Sequence, residues 1–146
     1  MTTTEPAAQP PLPDPDELTA FYWDAARRHE LWLQRCNDCG RLQHPPRPIC
    51  KQCNSFDLGH APVSGHGAVY TYSIGVQAFH PWFTDHLPYV LAVVELDDQP
   101  NLKLVTNIVD CEPDDVHVDM AVEVTFVDRG DVTLPMFRPT NTTRGA

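Results

Sequence analysis

The chain predicts a mainly β fold built from a short N-terminal helix, a small metal-binding ribbon and a five-stranded barrel. Three observations lead there. Four cysteines stand as Cys36-x-x-Cys39 and Cys50-x-x-Cys53, the pairing with which two knuckles offer four thiolates to one tetrahedral ion. From Ala68 onward, five short runs rich in Val, Ile, Leu, Tyr and Thr follow one another with no amphipathic helix between them, and five is the strand count of an oligonucleotide/oligosaccharide-binding (OB) barrel. Ahead of both, an Asp-Pro start leads into an apolar pattern with helical spacing.

Zn²⁺ suits four soft, deprotonated sulfurs, and a shell of Cys36, Cys39, Cys50 and Cys53 keeps no open position for water or substrate. The expected metal is therefore structural. The same sulfur geometry admits iron, and zinc is preferred. Gly40 follows the first pair and Asn54 the second, each able to take the positive φ that turns the backbone beneath a metal. Two disulfides or four free thiols are the competing reading, but paired CxxC spacing is specific to a metal site, and Met1 to Pro13 shows no apolar core and no basic leader. That argues for a reduced, cytoplasmic chain. Cys111 has no partner by spacing and reads as an incidental thiol.

In 146 residues, Lys and Arg total 10 and Asp and Glu total 20, a formal charge of −10. A ribbon beside an OB barrel is a common nucleic-acid module, yet that role needs a basic surface to displace phosphate counterions. Here the overall field repels phosphate. A local basic strip does exist at Arg35, Arg41, Arg47 and Lys51, with Arg27 and Arg28 just before it; it is either a solvated face or a dock for an anionic ligand or partner. No run resembles a membrane span. A ribbon of this size buries too little apolar surface to stand alone, so the metal contributes folding free energy.

The chain divides into a disordered tail at 1–13, a helix at 14–30, the ribbon at 31–63, the OB domain at 64–139 and a C-terminal tail at 140–146. Asp14 reads as the helix cap and Pro15 as its first residue. Leu18, Phe21, Tyr22, Ala25 and His29 form one apolar stripe with Trp23 off it, and this aromatic helix either meets a partner or folds back on the ribbon. Leu31–Arg35 and Phe56–Val63 are the ribbon strands, while Pro45, Pro46 and Pro48 hold the crossing between knuckles extended. The barrel strands are expected at 68–74, 89–96, 102–109, 121–127 and 132–137. Between the first two lies Gln77–Pro88, which carries Phe79, Trp82 and Phe83 with His80 and His86; it is a binding loop or a cap on one barrel end. No carboxylate pair is placed beside those histidines by sequence, so recognition of a partner or acyl chain is preferred to catalysis by them.

These residues resemble the family called domain of unknown function 35. The matching strings are Phe21-Tyr22-Trp23, Leu33-Gln34-Arg35-Cys36-x-x-Cys39-Gly40 and Gln43-His44-Pro45-Pro46-Arg47-x-x-Cys50-x-x-Cys53 in the first half. Gly65-x-Gly67-x-Val69-Tyr70, Pro88-Tyr89-Val90, Val94-Glu95-Leu96 and Leu134-Pro135-x-Phe137-Arg138-Pro139 continue it. The resemblance implies a rubredoxin-like zinc ribbon plus an OB fold, acting as an accessory subunit in acyl-CoA and lipid metabolism. Family members accompany thiolase-superfamily enzymes, including lipid-transfer-protein-like thiolases and aldolases of steroid side-chain degradation, and some join enoyl-CoA hydratases. There they stabilise the partner or shield its CoA channel. One departure stands out: Asp119-Met120 occupies a place where the family usually has Gly-Met, which asks a non-glycine residue to make a left-handed turn.

The leading expectation is thus a non-catalytic zinc-binding subunit of a thiolase or retro-aldolase complex, with no catalytic residue of its own. Phe21, Tyr22, Trp23, Arg35, Arg47, Phe79, Trp82 and Phe83 are its candidate partner or ligand contacts. Two alternatives compete with it: a single-stranded nucleic-acid module and a direct acyl-CoA binder. The barrel strands lack a basic face interleaved with aromatics, and Gly65-x-Gly67 is a weak phosphate-loop signal.

Overall fold

A computed structural model describes residues 9–140. One helix, α1 (Ala20–Arg27), precedes a three-stranded antiparallel ribbon of β1 (Trp32–Cys36), β2 (Leu42–Gln43) and β3 (Leu58–Pro62), in the order β2-β1-β3. The barrel strands are β4 (His66–Gly75), β5 (Tyr89–Leu96), β6 (Lys103–Ile108), β7 (Ala121–Arg129) and β8 (Val132–Pro139). They close in the order β4-β5-β6-β8-β7. Closure uses antiparallel pairing of β4 with β7 and a parallel contact between Ile108 and Phe137. Mainly β with one short helix, a ribbon and then a five-stranded barrel is the architecture expected from the sequence.

The helix is shorter than the 14–30 expected, and its cap is a different residue. The Asp16 carboxylate accepts from the amides of Leu18 and Thr19 at 3.0 and 2.9 Å, and the Thr19 hydroxyl accepts in return from the Asp16 amide at 3.0 Å. This reciprocal pairing satisfies the donors that a helix start leaves free. Asp14 and Pro15 therefore lie outside the turn they were expected to open. The Thr19 amide, ahead of its hydroxyl, holds the Asp16 carboxyl below its usual value. At the other end Glu30 N–H reaches Ala25 O at 3.0 Å and His29 N–H reaches Ala26 O at 2.9 Å, while His29 sits at φ 59°. That is a Schellman stop made without glycine. The His29 ring leaves the helix stripe and stacks on Phe126 of β7, 5.2 Å away. The expected tails at 1–13 and 140–146 fall largely outside the described residues.

Apolar alternation decides the core. On β5, Val90, Ala92, Val94 and Leu96 are buried, whereas Leu91 between them is 45% exposed. Tyr22, Leu31 and Leu33 share one buried cluster with Val69, Leu104, Val122 and Phe137, so helix, ribbon and barrel pack around a continuous core. Two backbone features shape the barrel. Gly67 lies where a Cβ would fall 2.4 Å from the Glu95 carbonyl oxygen, so the Gly65-x-Gly67 pair serves a close strand crossing. Asp119 does adopt a left-handed φ of 69°; its amide and the Met120 carbonyl bond to Val69 on either side of the turn. Beside this point pairing slips between Val69 and Thr71, a bulge that turns Tyr70 outward.

Side-chain amides hold the ribbon to itself and to the barrel. Gln34 is buried, and its Nε2 donates to Arg47 O at 2.8 Å while its Oε1 accepts from Arg47 N–H at 2.9 Å. Gln43 Nε2 donates to Gln34 Oε1 and to Ile49 O, and its Oε1 accepts from Lys51 N–H. The proline-rich crossing thus finds its hydrogen bonds in two glutamines rather than in a strand. Gln99 of the barrel does the same for β2, with Leu42 N–H donating to its Oε1 and its Nε2 donating to Leu42 O, both at 2.9 Å. Replacing Gln34 by Ala strands both polar groups of the Arg47 backbone, and the expected loss is about 2–4 kcal/mol in urea unfolding. A loss below about 0.5 kcal/mol, the level of an ordinary surface change, would show that this amide carries no weight.

Candidate metal centre and the ribbon–barrel cleft

The first knuckle leaves β1 at Cys36 and turns at Gly40 (φ 77°); the second turns at Asn54 (φ 62°). Gly40 N–H bonds to Cys36 O and Asn54 N–H to Cys50 O, each at 2.9 Å. Cys36 N–H then takes Arg41 O and Cys50 N–H takes Ser55 O, so the knuckles match bond for bond. Both turn residues behave as the sequence requires.

This matching brings Cys36, Cys39, Cys50 and Cys53 together, with all four sulfurs within 4.8 Å of one another. Cys36 Sγ lies 3.6 Å from Cys53 Sγ, and Cys39 Sγ lies 3.6 Å from Cys50 Sγ. A disulfide needs about 2.05 Å, whereas sulfurs around a tetrahedral ion with bonds of about 2.3 Å stand about 3.8 Å apart. The donor set therefore fits one metal ion. Amides also point at the sulfurs: Cys39 N–H at Cys36 Sγ (3.4 Å), and Gln52 and Cys53 N–H at Cys50 Sγ (3.4 and 3.5 Å). The Cys39 amide holds the Cys36 thiol below its ordinary value, and the Cys53 amide brings Cys50 to about 6. On Cys39 and Cys53 the Arg41 and Ser55 amides pull the same way, but desolvation and the neighbouring sulfurs outweigh them and both thiols are raised. Without a cation those two sulfurs hold their protons, and a metal ion is what would release them. Cys111 lies apart from this group among the described residues.

Where ribbon meets barrel, Arg41, Arg47 and Lys51 line one side of a cleft of about 80 Å³ and Lys103 of β6 lines the other, with Gln99 and Asn101 between them. No carboxylate pairs with these cations among the described residues. Lys103 Nζ instead lies 3.8 Å over the Tyr70 ring. Sequence reasoning found the ribbon half of this strip and missed Lys103, which only the docking of β6 brings across. Arg35, also on the strip, is drawn to its own knuckle by a bond from Nε to Gly40 O.

His44, Pro45 and Lys103 are shared between that cleft and a largely apolar shelf of about 290 Å³ completed by Val93, Leu104 and Val105. The helix aromatics lie elsewhere in this package. Phe21 stacks on His60 of β3 at 3.8 Å, and Tyr22 packs on His44 at 5.4 Å and on Trp23 at 4.8 Å. Tyr22 is buried, which pushes its hydroxyl to about 12. In the 77–88 loop Phe79 is 85% exposed, whereas Trp82 and Phe83 turn into a cavity at the barrel end. No helix among the described residues is long and apolar enough to cross a membrane.

A ribbon carrying four converging thiols, packed on a closed five-stranded barrel, defines a metal-ribbon OB-fold protein. Two family descriptions match the chain in the same order: "ChsH2, rubredoxin-like zinc ribbon domain" over residues 23–59 and "ChsH2, C-terminal OB-fold domain" over residues 60–127. The chain belongs to this ChsH2 family, whose relatives also carry the name DUF35. It is 39% identical over 140 residues to a probable enoyl-CoA hydratase alpha subunit of Thermomonospora curvata, covering 95% of this chain and 43% of that one. The chain thus spans less than half the length of that relative. A DUF35 domain-containing scaffold protein of Methanocaldococcus jannaschii is 39% identical over 113 residues, 76% of this chain and 78% of its own. Among solved structures, one described as an Ltp2-ChsH2(DUF35) aldolase superposes with a TM-score of 0.79 at 39% identity, covering 88% of this chain and 98% of that one.

Two outcomes follow from this geometry. Withdrawing the metal with a chelator at neutral pH should expose the ribbon amides of Cys36–Cys53 to hydrogen exchange while β5 stays protected, because four crowded thiols lose the cation that reconciles them; unchanged ribbon exchange would contradict the site. His44 has a buried Nδ1 with no partner, and burial lowers its pKa to about 4. Since the unfolded chain binds the proton first, near 6.5, stability should fall as pH drops from about 6.5 toward 4, by up to about 3 kcal/mol. Urea unfolding of His44→Gln beside the parent at pH 7 and pH 5, with metal content checked, isolates this slope; equal slopes would refute it.

Proposed function

We propose that this chain is a non-catalytic subunit of a thiolase-superfamily enzyme of acyl-CoA or lipid metabolism, of the thiolase or retro-aldolase type. Its metal is structural Zn²⁺, held by Cys36, Cys39, Cys50 and Cys53. The observation that carries this reading is the pair of surfaces on either side of His44 and Pro45: an unpaired cationic cleft and an apolar shelf, side by side in a chain of net charge −10. Val105 is 66% exposed and Leu91 45% exposed on the same barrel wall. Exposed apolar groups beside concentrated charge of one sign are the signature of a protein-docking face. The shelf meets the partner, while Arg41, Arg47, Lys51 and Lys103 face the polyanionic end of its CoA thioester. Phe79 offers a second contact, and Phe21, Trp23 and Arg35 border the helix–ribbon side.

The names of the relatives support the same reading, since one is a hydratase alpha subunit, one a scaffold protein and one an aldolase assembly. Rigidity comes from the metal and the shared core, and the chemistry belongs to the partner. The cleft also favours a second reading, in which the isolated chain takes CoA directly. Calorimetry with CoA separates the two: binding by the lone chain supports the second, and binding only by the complex supports the first.

Affinity purification from the source organism should recover a thiolase-fold protein in fixed ratio with this chain. Val105→Asp should abolish that recovery, because it places a charge at the centre of the apolar wall. Arg47→Glu with Lys51→Glu should preserve the complex yet raise the partner's KM for its CoA thioester about tenfold or more. Recovery as a lone monomer, or an undiminished partner assayed alone, would remove the proposal.

A further inference from the structure

The loop between β4 and β5 lines a half-open cavity of about 320 Å³ at one end of the barrel, built from residues other than those of the cationic cleft. Its apolar lining includes Trp82, Phe83, Val90, Ile108 and Met136, and its polar wall includes Arg129, Asn107 and Asp110. We propose that this cavity binds a small apolar monocarboxylic acid, with the carboxylate on Arg129 and the ring or branched chain against the edge of Trp82 and against Met136. The inference is independent of the docking role and concerns a different face.

Arg129 carries the argument. Its guanidinium lies 4.4 Å over the Trp82 ring, and the His86 ring stacks on the same indole at 3.6 Å and 8°. Two flat groups at those distances cannot share one face, so Trp82 is held between them. The loop that presents it is pinned locally, since Trp82 N–H donates to His80 Nδ1 at 3.1 Å and His86 Nδ1 lies 2.7 Å from Trp82 O. The walls are therefore formed before any ligand enters, which lowers the ordering cost of binding. Arg129 is only partly exposed, burial lowers its pKa, and no carboxylate of the described residues lies within ion-pair distance. A half-buried guanidinium without an ion-pair partner among the described residues favours a bidentate carboxylate.

Volume and charge narrow the class. Small-molecule sites run from about 300 to 1,000 Å³, so this cavity holds one ring or a short branched chain. Asp110 on the rim disfavours a phosphate dianion, and the Cys111 thiol beside it is kept neutral, first by burial and then by Asp115, Asp110 and Glu112. A single negative charge at one end of an apolar body is what remains.

Titration of the full chain with cyclohexanecarboxylate, followed by backbone amide resonances, tests this directly, with cyclohexanecarboxamide as the neutral isostere. The acid should bind with Kd of about 1 mM or below and shift the resonances of Trp82, Ile108 and Met136. It should bind at least about tenfold tighter than the amide, the worth of one charge-assisted contact. Arg129→Gln should erase that preference while amide binding stays unchanged, and Arg129→Lys should restore part of it. Equal binding of acid and amide by the parent chain, shifts confined to another region, or no binding of either below about 10 mM would each overturn the proposal without recourse to any variant.

Discussion

Four sulfurs held within 4.8 Å of one another by two matched knuckles are the constraint on which the rest of this chain depends. Thiolates so placed repel, and only a cation in their midst turns the repulsion into a bond network. Once the knuckles are locked, Cys36 fixes the end of β1 and Cys50 fixes the end of the proline-rich crossing. Between those fixed points Gln34 and Gln43 supply the hydrogen bonds that no strand provides. Leu33 of β1 and Leu31 just before it then face the barrel, and the two halves share one core.

That shared core sets the surface as well. Gln99 clamps β2 against the turn before β6, which brings Lys103 opposite Arg41, Arg47 and Lys51. Concentrated positive charge in an acidic chain therefore arises from the relative placement of ribbon and barrel. The apolar shelf on the far side of His44 has the same origin, because Pro45 comes from the ribbon and Val93, Leu104 and Val105 from the barrel. Loosening the ribbon would blur both surfaces together, which links the four-thiol cluster to both of them.

The parts legible in the sequence were those governed by local rules. Cysteine spacing gave the four-thiol cluster, positive-φ residues gave both knuckle turns, and short apolar runs located the strands, with β5 over Tyr89–Leu96; that run is continuous in sequence, and the barrel buries only alternate members of it. A family resemblance carried by Gln43-His44-Pro45-Pro46-Arg47 was sound, and the structure supplies its physical content in the glutamine bonds. What escaped was settled over distance or by competition between near-equivalent residues. Asp14 and Asp16 both satisfy the sequence rule for a cap, each with a side chain three residues on, Glu17 or Thr19, and the structure uses Asp16 with Thr19. The surroundings of Lys103 and Arg129 could not be read from spacing, because the rings beneath them, Tyr70 and Trp82, come from other strands and loops. The Gly65-x-Gly67 pair has a steric explanation visible only once Glu95 is beside it.

Elemental analysis of the purified chain measures the central claim most directly. One zinc per chain, retained through size-exclusion chromatography and lost when Cys50 is replaced by Ser, is the result this account predicts. Metal-free protein with a folded ribbon, its four thiols titrating freely with a thiol reagent, would contradict it.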